Sequence, residues 1–266
     1  MSLDGVAVRP TLIAGANPVS KVAAALIIAV VLVFSVDVVS AGTALALECL
    51  LLPATGAPVR QIIRVLAPIA ISAVLAGVVT AFIGVDSGAV LAAIGPLTLT
   101  EGSVRNGLAI ALRVLAIALP SIALLASTDP TDLADALGQR LHLPATFVLG
   151  ALAGLRLVGV LVAQWRSLTM ARRMRGLGDS NGPWGATRVM AGQGFALLVL
   201  ALRRATRLAM AMQARGFGSP TARTWARPST FSGRDAVVIA GAVFVCAAAV
   251  GCALWMGTWT FIWDLA

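Results

Sequence analysis

Lysine is almost absent: Lys21 is the only one among 20 basic residues, the rest being arginine. A phosphate-binding P-loop needs a glycine-rich turn followed by Lys and Ser or Thr, so that the ammonium meets the phosphates. Lys21 sits in Asn17-Pro-Val-Ser-Lys-Val22, which has no such turn, so the chain is not a P-loop ATPase by itself. Cysteine and histidine are scarce too. Cys49, Cys246 and Cys252 lie in apolar segments without a Cys-x-x-Cys pair, and His142 stands alone. That excludes a zinc site or disulfide framework, and neither a metal nor a cofactor is expected. No His-Glu-x-x-His, Gly-x-Ser-x-Gly or paired-carboxylate motif occurs, so no catalytic residues are assigned and no enzyme is expected. Met1 to Asn17 lacks a basic region followed by an apolar core and cleavage site, so a removable signal peptide is not expected either.

Charge itself is thin. Only 12% of residues are charged, about half the usual ~25% of a soluble domain. What fills the chain is apolar: 59% hydrophobic residues and a mean hydropathy of +0.94. The apolar residues come in runs long enough to cross a bilayer, which makes this a polytopic membrane protein. Asn17-Pro18 opens the first span, roughly Val19 to Val36, with Lys21 anchoring its inner end. Asp37 and the small residues near Ser40 make a turn, and a second span runs to Leu52 and Pro53. Arg60 and Arg64, four apart, share one helix face on an inner connection. A third span runs from Val65 to Gly84 and a fourth from Gly107 to Ala126. Between those two lies a Gly-rich connection, Asp86 to Asn106, part of which, Ala89 to Ile94, is read as dipping back into the bilayer.

Thr128-Asp-Pro-Thr-Asp-Leu133 then reads as a helix start, with Asp129, Asp132 and Asp135 at its positive end. Beyond the break at Leu143-Pro144 come two long runs, Ala145 to Arg175 and about Ala186 to Ala214, joined by a turn over Asp179 to Trp184. On hydropathy Ala145 to Ala163 qualifies as a span. Burying Arg156 near a helix centre costs about 2.5 kcal/mol or more, which favours both runs lying along the inner interface, arginines outward. A last span, Ala236 to Trp255, exits to the outside, where Trp255, Trp259 and Trp263 at spacing four form a stripe on one helical face. The acids Asp37, Asp86, Glu101 and Asp264 fall on outer segments.

Thirteen of the 20 basic residues lie between Arg156 and Arg234, against one acid, Asp179. By the positive-inside rule this part faces the cytoplasm. The stretch is amphipathic and lacks a nucleic-acid motif, so its partner is not nucleic acid. Within it an arginine-rich helix twice ends on Arg-Gly: Met170-Ala-Arg-Arg-Met-Arg-Gly176 and Ala211-Met-Gln-Ala-Arg-Gly216. Arginine suits the negative end of a helix, and the glycine after it can turn left-handed and stop the helix. Two other charges interrupt apolar spans: Glu48 and Arg113. Both lie about ten residues, roughly 15 Å, from the outer ends of their spans, so they are expected to pair within the membrane. Gly150-x-x-x-Gly154 has the spacing of a close helix approach.

This order of motifs resembles the transmembrane T component (EcfT) of energy-coupling factor transporters for vitamins and metal ions. The resemblance covers nearly the whole chain. It rests on Asn17-Pro-Val-Ser-Lys21, Leu97-Thr-Leu-Thr-Glu-Gly102 before the Arg113 span, Thr128 to Leu137, Leu143-Pro144 and the paired Arg-Gly ends. It implies an all-α membrane protein of about five transmembrane helices with long amphipathic coupling helices. The bundle of four spans would occupy residues 1–127, the cytoplasmic coupling region 128–234 and the last helix 235–266. It further implies a multi-pass protein of a bacterial cell membrane that carries ATP-driven movement from two ABC-type ATPase subunits to a separate substrate-binding S component, which rests against this chain in the lipid bilayer. Arg175 with Gly176 and Ala214-Arg215-Gly216 would seat in the ATPases, with Arg172 one turn behind the first tip. Met174 departs from the alanine usual before the first Arg-Gly. The alternative is a self-sufficient secondary transporter or channel, which would need polar residues at mid-membrane in several spans, where only Glu48 and Arg113 occur.

Overall fold

The computed structural model describes residues 13, 15–56, 58–83, 89–94, 97–176, 183–218 and 227–259. Asp86, Asp179, Trp263, Asp264 and most of the stretch before Asn17 lie outside the described residues. Eight α-helices carry the described chain: α1 Pro18–Phe34, α2 Val38–Leu51, α3 Val59–Ile83, α4 Glu101–Ala126, α5 Pro130–Arg140, α6 Ala145–Met174, α7 Pro183–Ala214 and α8 Gly233–Trp255. The fold is all-α and polytopic, with one two-stranded hairpin, β1 Val90–Ile94 and β2 Leu97–Thr100, placed before α4. The chain divides into two compact units, 6–136 with 229–266, and 1–5 with 137–228, so the dividing line falls inside α5.

The helix boundaries have local causes. Asn17 caps α1, its side chain accepting the Val19 N–H at 3.0 Å, and Pro18 occupies the first turn, where its missing N–H is no loss. Asp37 caps α2 through the Ser40 N–H at 2.7 Å. A 3-10 turn, Leu52–Thr55, extends α2 to Gly56, whose φ of 69° ends it. Arg60 and Arg64 lie in the first turns of α3, which therefore starts six residues before the expected Val65. Likewise α4 begins at Glu101 rather than Gly107. There Thr100 and Ser103 exchange side-chain-to-backbone bonds, Thr100 N–H to Ser103 Oγ at 3.0 Å and Ser103 N–H to Thr100 Oγ1 at 3.2 Å.

Among the described residues five helices are long and apolar enough to cross a membrane: α2 with its 3-10 turn, α3, α4, α6 and α8. The set differs from the expected one. It includes α6, read above as interfacial, and leaves out α1, which is shorter at 17 residues.

Three expectations are corrected. The stretch expected to dip back into the bilayer forms strand β1, paired antiparallel with β2, Val90 opposite Thr100 and Ile94 opposite Leu97. A two-stranded hairpin has free edges that hydrocarbon does not tolerate. The tryptophan stripe does not continue on one helix. Gly257, at φ 64°, takes the left-handed turn, the Gly257 N–H reaches Leu254 O and the Thr258 N–H reaches Ala253 O, so α8 stops at Trp255 before Trp259. The expected turn over 179–184 is shorter too, because α7 already begins at Pro183.

The unit formed by 6–136 and 229–266 is a helix bundle with a core of small residues. Ala24, Ile28 and Leu32 of α1 meet Ala44 of α2, Ala116 of α4 and Val238, Ala242, Val245, Cys246 and Ala249 of α8. A second cluster joins Ile62 of α3 to Leu119 and Ala123 of α4. The most extensive pairing is α3 with α4. It is made possible by Gly77, where a Cβ would stand 2.7 Å from Gly107 O, and by Gly107, where a Cβ would overlap Gly77 O. Among the described residues Gly150 and Gly154 make no close approach; a Cβ at either meets none of them within 4 Å.

Polar contacts fasten this bundle. The Asp235 carboxylate at the start of α8 accepts the Asn17 N–H at 2.5 Å and Ser20 Oγ at 2.8 Å, tying α8 to α1. Its other oxygen takes the Ser232 N–H at 2.5 Å in a capping box. Lys21 is not an interfacial anchor. It is 2% exposed, and its ammonium donates to Ser127 O at 3.0 Å and Ser127 Oγ at 3.3 Å beyond the end of α4.

Candidate functional site

In the unit that holds 137–228, α6 and α7 are fastened by Gln193, a buried residue of α7 whose amide donates to Trp165 O at 3.0 Å and Thr169 Oγ1 at 2.6 Å on α6. Sequence reading missed this amide. Its signal was a lone glutamine on an otherwise apolar stretch of α7, Met190 to Leu202.

Each of the two helices ends as its Arg-Gly pair predicts. At the end of α6, Arg175 is the first residue past the helix, and the Gly176 N–H bonds to Arg173 O at 3.0 Å with Gly176 at φ 71°. At the end of α7, the Gly216 N–H meets Gln213 O at 2.9 Å, the Phe217 N–H meets Met212 O at 3.0 Å, and Gly216 is at φ 78°. The second arrangement is a complete Schellman motif, and the first shares its inner bond. Glycine is required for the turn rather than for space, since a Cβ on Gly176 or Gly216 would meet none of the described residues within 4 Å. Arg175, Gly176, Ala214, Arg215 and Gly216 are all exposed.

The two tips differ in their surroundings. Arg215 lines a groove of about 460 Å³ between α6 and α7, together with Leu152, Arg156 and Val160 of α6 and Leu208 and Met212 of α7. Two guanidinium groups at an apolar groove favour an anionic or carbonyl-rich occupant. Arg172, grouped with the tips in the sequence reading, does something else. Its Nη1 donates to Val189 O of α7 at 2.9 Å, so it is committed within the chain.

The expected Glu48–Arg113 pair does not form. Arg113 Nη2 donates to Ser35 O at the α1–α2 turn, while neither Glu48 oxygen has a hydrogen-bond partner among the described residues. Equal depth by residue count ignored where on each helix the side chains sit. Eleven positions separate Asp37 from Glu48, roughly 16 Å along α2, and Arg113 extends towards the Asp37 end. Glu48 instead lines a pocket of about 230 Å³ between the helices of the bundle, partly open at its surface. Among the described residues no group of three or more His, Cys, Asp or Glu side chains is placed to hold a metal ion.

Residues 10–224 match the family model described as "CbiQ: Cobalt transport protein". Curated relatives agree. The chain is 29% identical over 193 residues to the energy-coupling factor transporter transmembrane protein EcfT of Heliobacterium modesticaldum, covering 70% of this chain and 72% of that protein. It is 28% identical over 168 residues to the EcfT of Bacillus subtilis, covering 60% of this chain and 63% of that one. A putative ABC transporter ATP-binding protein of Bifidobacterium longum is 29% identical over 199 residues, which is 71% of this chain but 25% of that protein.

Proposed function

Because the chain belongs to the cobalt transport protein family, as the transmembrane component of an energy-coupling factor transporter, we propose that its two Arg-Gly helix ends grip two ABC-type ATPase subunits on the cytoplasmic side. The observation that carries this reading is the matched pair of exposed arginines, each held at a helix end by a left-handed glycine. A guanidinium fixed in this way can make a bidentate contact with a carboxylate or with helix-end carbonyls, and keeps its charge when desolvated. The likeness of this chain to a quarter of a protein named for ATP binding supports an ATPase working beside such a scaffold.

In this account α6 and α7 act as coupling levers. Gln193 and Arg172 lock them together, so a push at either tip moves both helices. ATP binding and hydrolysis change the distance between the two nucleotide-binding subunits, and the levers pass that movement to a separate substrate-binding membrane subunit. That S component reorients in the bilayer and delivers a micronutrient, a vitamin or a metal ion. The tips contribute unequally. Arg215, beside Arg156 at the α6–α7 groove, has an apolar shelf against which a partner helix can pack. Arg175 has the guanidinium and the turn, and Met174 stands before it instead of alanine.

Truncating one partner of a buried charge pair costs about 2–5 kcal/mol, at least about thirtyfold in affinity. The test is coexpression with the candidate ATPases and co-purification of wild type, Arg175→Ala, Arg215→Ala and the double variant. Each single change is expected to weaken ATPase recovery and the double change to abolish it. Undiminished recovery with the double variant refutes the reading.

A further inference from the structure

The cavity beside Glu48 carries chemistry that the coupling reading does not use. Four helices line it, and it opens to the bundle surface past Leu51 and Val237: Ala24 and Ile28 of α1, Glu48 of α2, Ala123 of α4 and Val238 of α8 form its inner walls. The lining is apolar apart from Glu48 and Thr55, and the Thr55 hydroxyl already donates to Leu52 O at 2.7 Å. Glu48 is 6% exposed, and among the described residues neither of its oxygens has a hydrogen-bond partner. The two cations of the neighbouring helices are engaged elsewhere, Arg113 on Ser35 O and Lys21 on Ser127.

A buried acceptor left unpaired is unfavourable, and at membrane depth bulk water is not at hand to relieve it. The carboxyl has about four lone-pair positions to fill. A complementary occupant therefore brings N–H donors on a small apolar body. The volume of about 230 Å³ holds roughly eight non-hydrogen atoms, at about 30 Å³ per water-sized group. We propose that this cavity is a binding site for a small lipophilic primary amine, its nitrogen hydrogen-bonded to Glu48 and its hydrocarbon body packed against α1, α4 and α8. The site lies in the helix bundle, away from both Arg-Gly tips in sequence, and the proposal stands independently of the coupling reading.

The test uses the full chain in lipid nanodiscs and cyclohexylmethylamine as the probe, with empty nanodiscs subtracted. Cyclohexylmethanol has the same shape and serves as the control. Calorimetric titration is expected to show the amine binding at least tenfold more tightly than the alcohol. Glu48→Gln, which keeps the shape, is expected to remove that preference. Saturating amine is also expected to raise the unfolding midpoint of the wild type and not of the variant. No saturable amine binding, equal binding of amine and alcohol, or full amine affinity in Glu48→Gln would each overturn the proposal. If Glu48→Gln fails to fold, the amine-to-alcohol ratio on the wild type decides alone.

Discussion

Removing the Asp235 carboxylate tests how the first and last helices are held together. Four donors converge on it, but they are not equivalent. Ser20 Oγ has one proton and a second acceptor in reach, Asn17 O at 2.7 Å, so it keeps a partner without Asp235. Ser232 Oγ is long at 3.2 Å and belongs to an exposed residue. The decisive donors are two backbone N–H groups at 2.5 Å, those of Asn17 and Ser232, and the Asn17 residue is buried. A hydrogen bond to a charged group contributes about 1.5–3 kcal/mol, so Asp235→Ala is expected to cost about 3–6 kcal/mol. Asp235→Asn keeps one acceptor oxygen and turns an NH₂ on the other donor, for about half that loss. With about 2–4 °C per kcal/mol for a chain of this size, the alanine variant unfolds roughly 6–24 °C lower and the asparagine variant about half as far. Ser20→Ala should shift the midpoint least. The assay is tryptophan-fluorescence melting of the four proteins in identical nanodiscs. An unmoved Asp235→Ala midpoint, or a Ser20→Ala loss as large as that of Asp235→Ala, would show that the two backbone N–H bonds do not hold the helices together.

Three further outcomes follow from the geometry. Gly107→Ala forces a methyl group onto the Gly77 carbonyl of α3 and is expected to destabilise by about 1–3 kcal/mol, whereas Gly150→Ala, in open space, leaves the melting midpoint unchanged or slightly raised. Since Glu48 and Arg113 have separate surroundings, a double-mutant cycle on their alanine variants should be additive within about 0.5 kcal/mol; a larger coupling energy in chemical unfolding would restore the pair. Gly216→Ala places a Cβ at φ 78°, a strain of about 1–2 kcal/mol, so hydrogen exchange at the end of α7 should quicken while the exchange of α8 stays the same.

Much of the helix layout was legible because its causes are local. Asn17-Pro18 and Asp37 mark helix starts by their own side chains, and the two Arg-Gly pairs mark helix ends because glycine tolerates the left-handed turn. Gly257 carried the same message and was overlooked, which is why Trp259 was read onto α8. The start of α4 was missed because its cap is the exchange between Thr100 and Ser103, hidden in a Gly-rich connection. Contacts between distant segments were less legible. Lys21 looked like an interfacial anchor, and only its contact with Ser127, more than a hundred residues away, shows it buried. Counting residues gave Glu48 and Arg113 a common depth without saying which way either faces. In a chain with 26 glycines, a Gly-x-x-x-Gly spacing says little, and the true close approach, Gly77 to Gly107, joins two different helices.

The most direct measurement of the coupling claim is contact at the tips themselves. A benzophenone amino acid placed at position 175 or 215 in the coexpressed transporter, irradiated in membrane vesicles, reports what lies against each helix end. A covalent adduct with an ATPase subunit is expected from both positions, and none from position 91 on β1, which the charge pattern is expected to put on the opposite side of the membrane. Adducts at 175 and 215 only with lipid or with this chain itself would contradict the coupling claim.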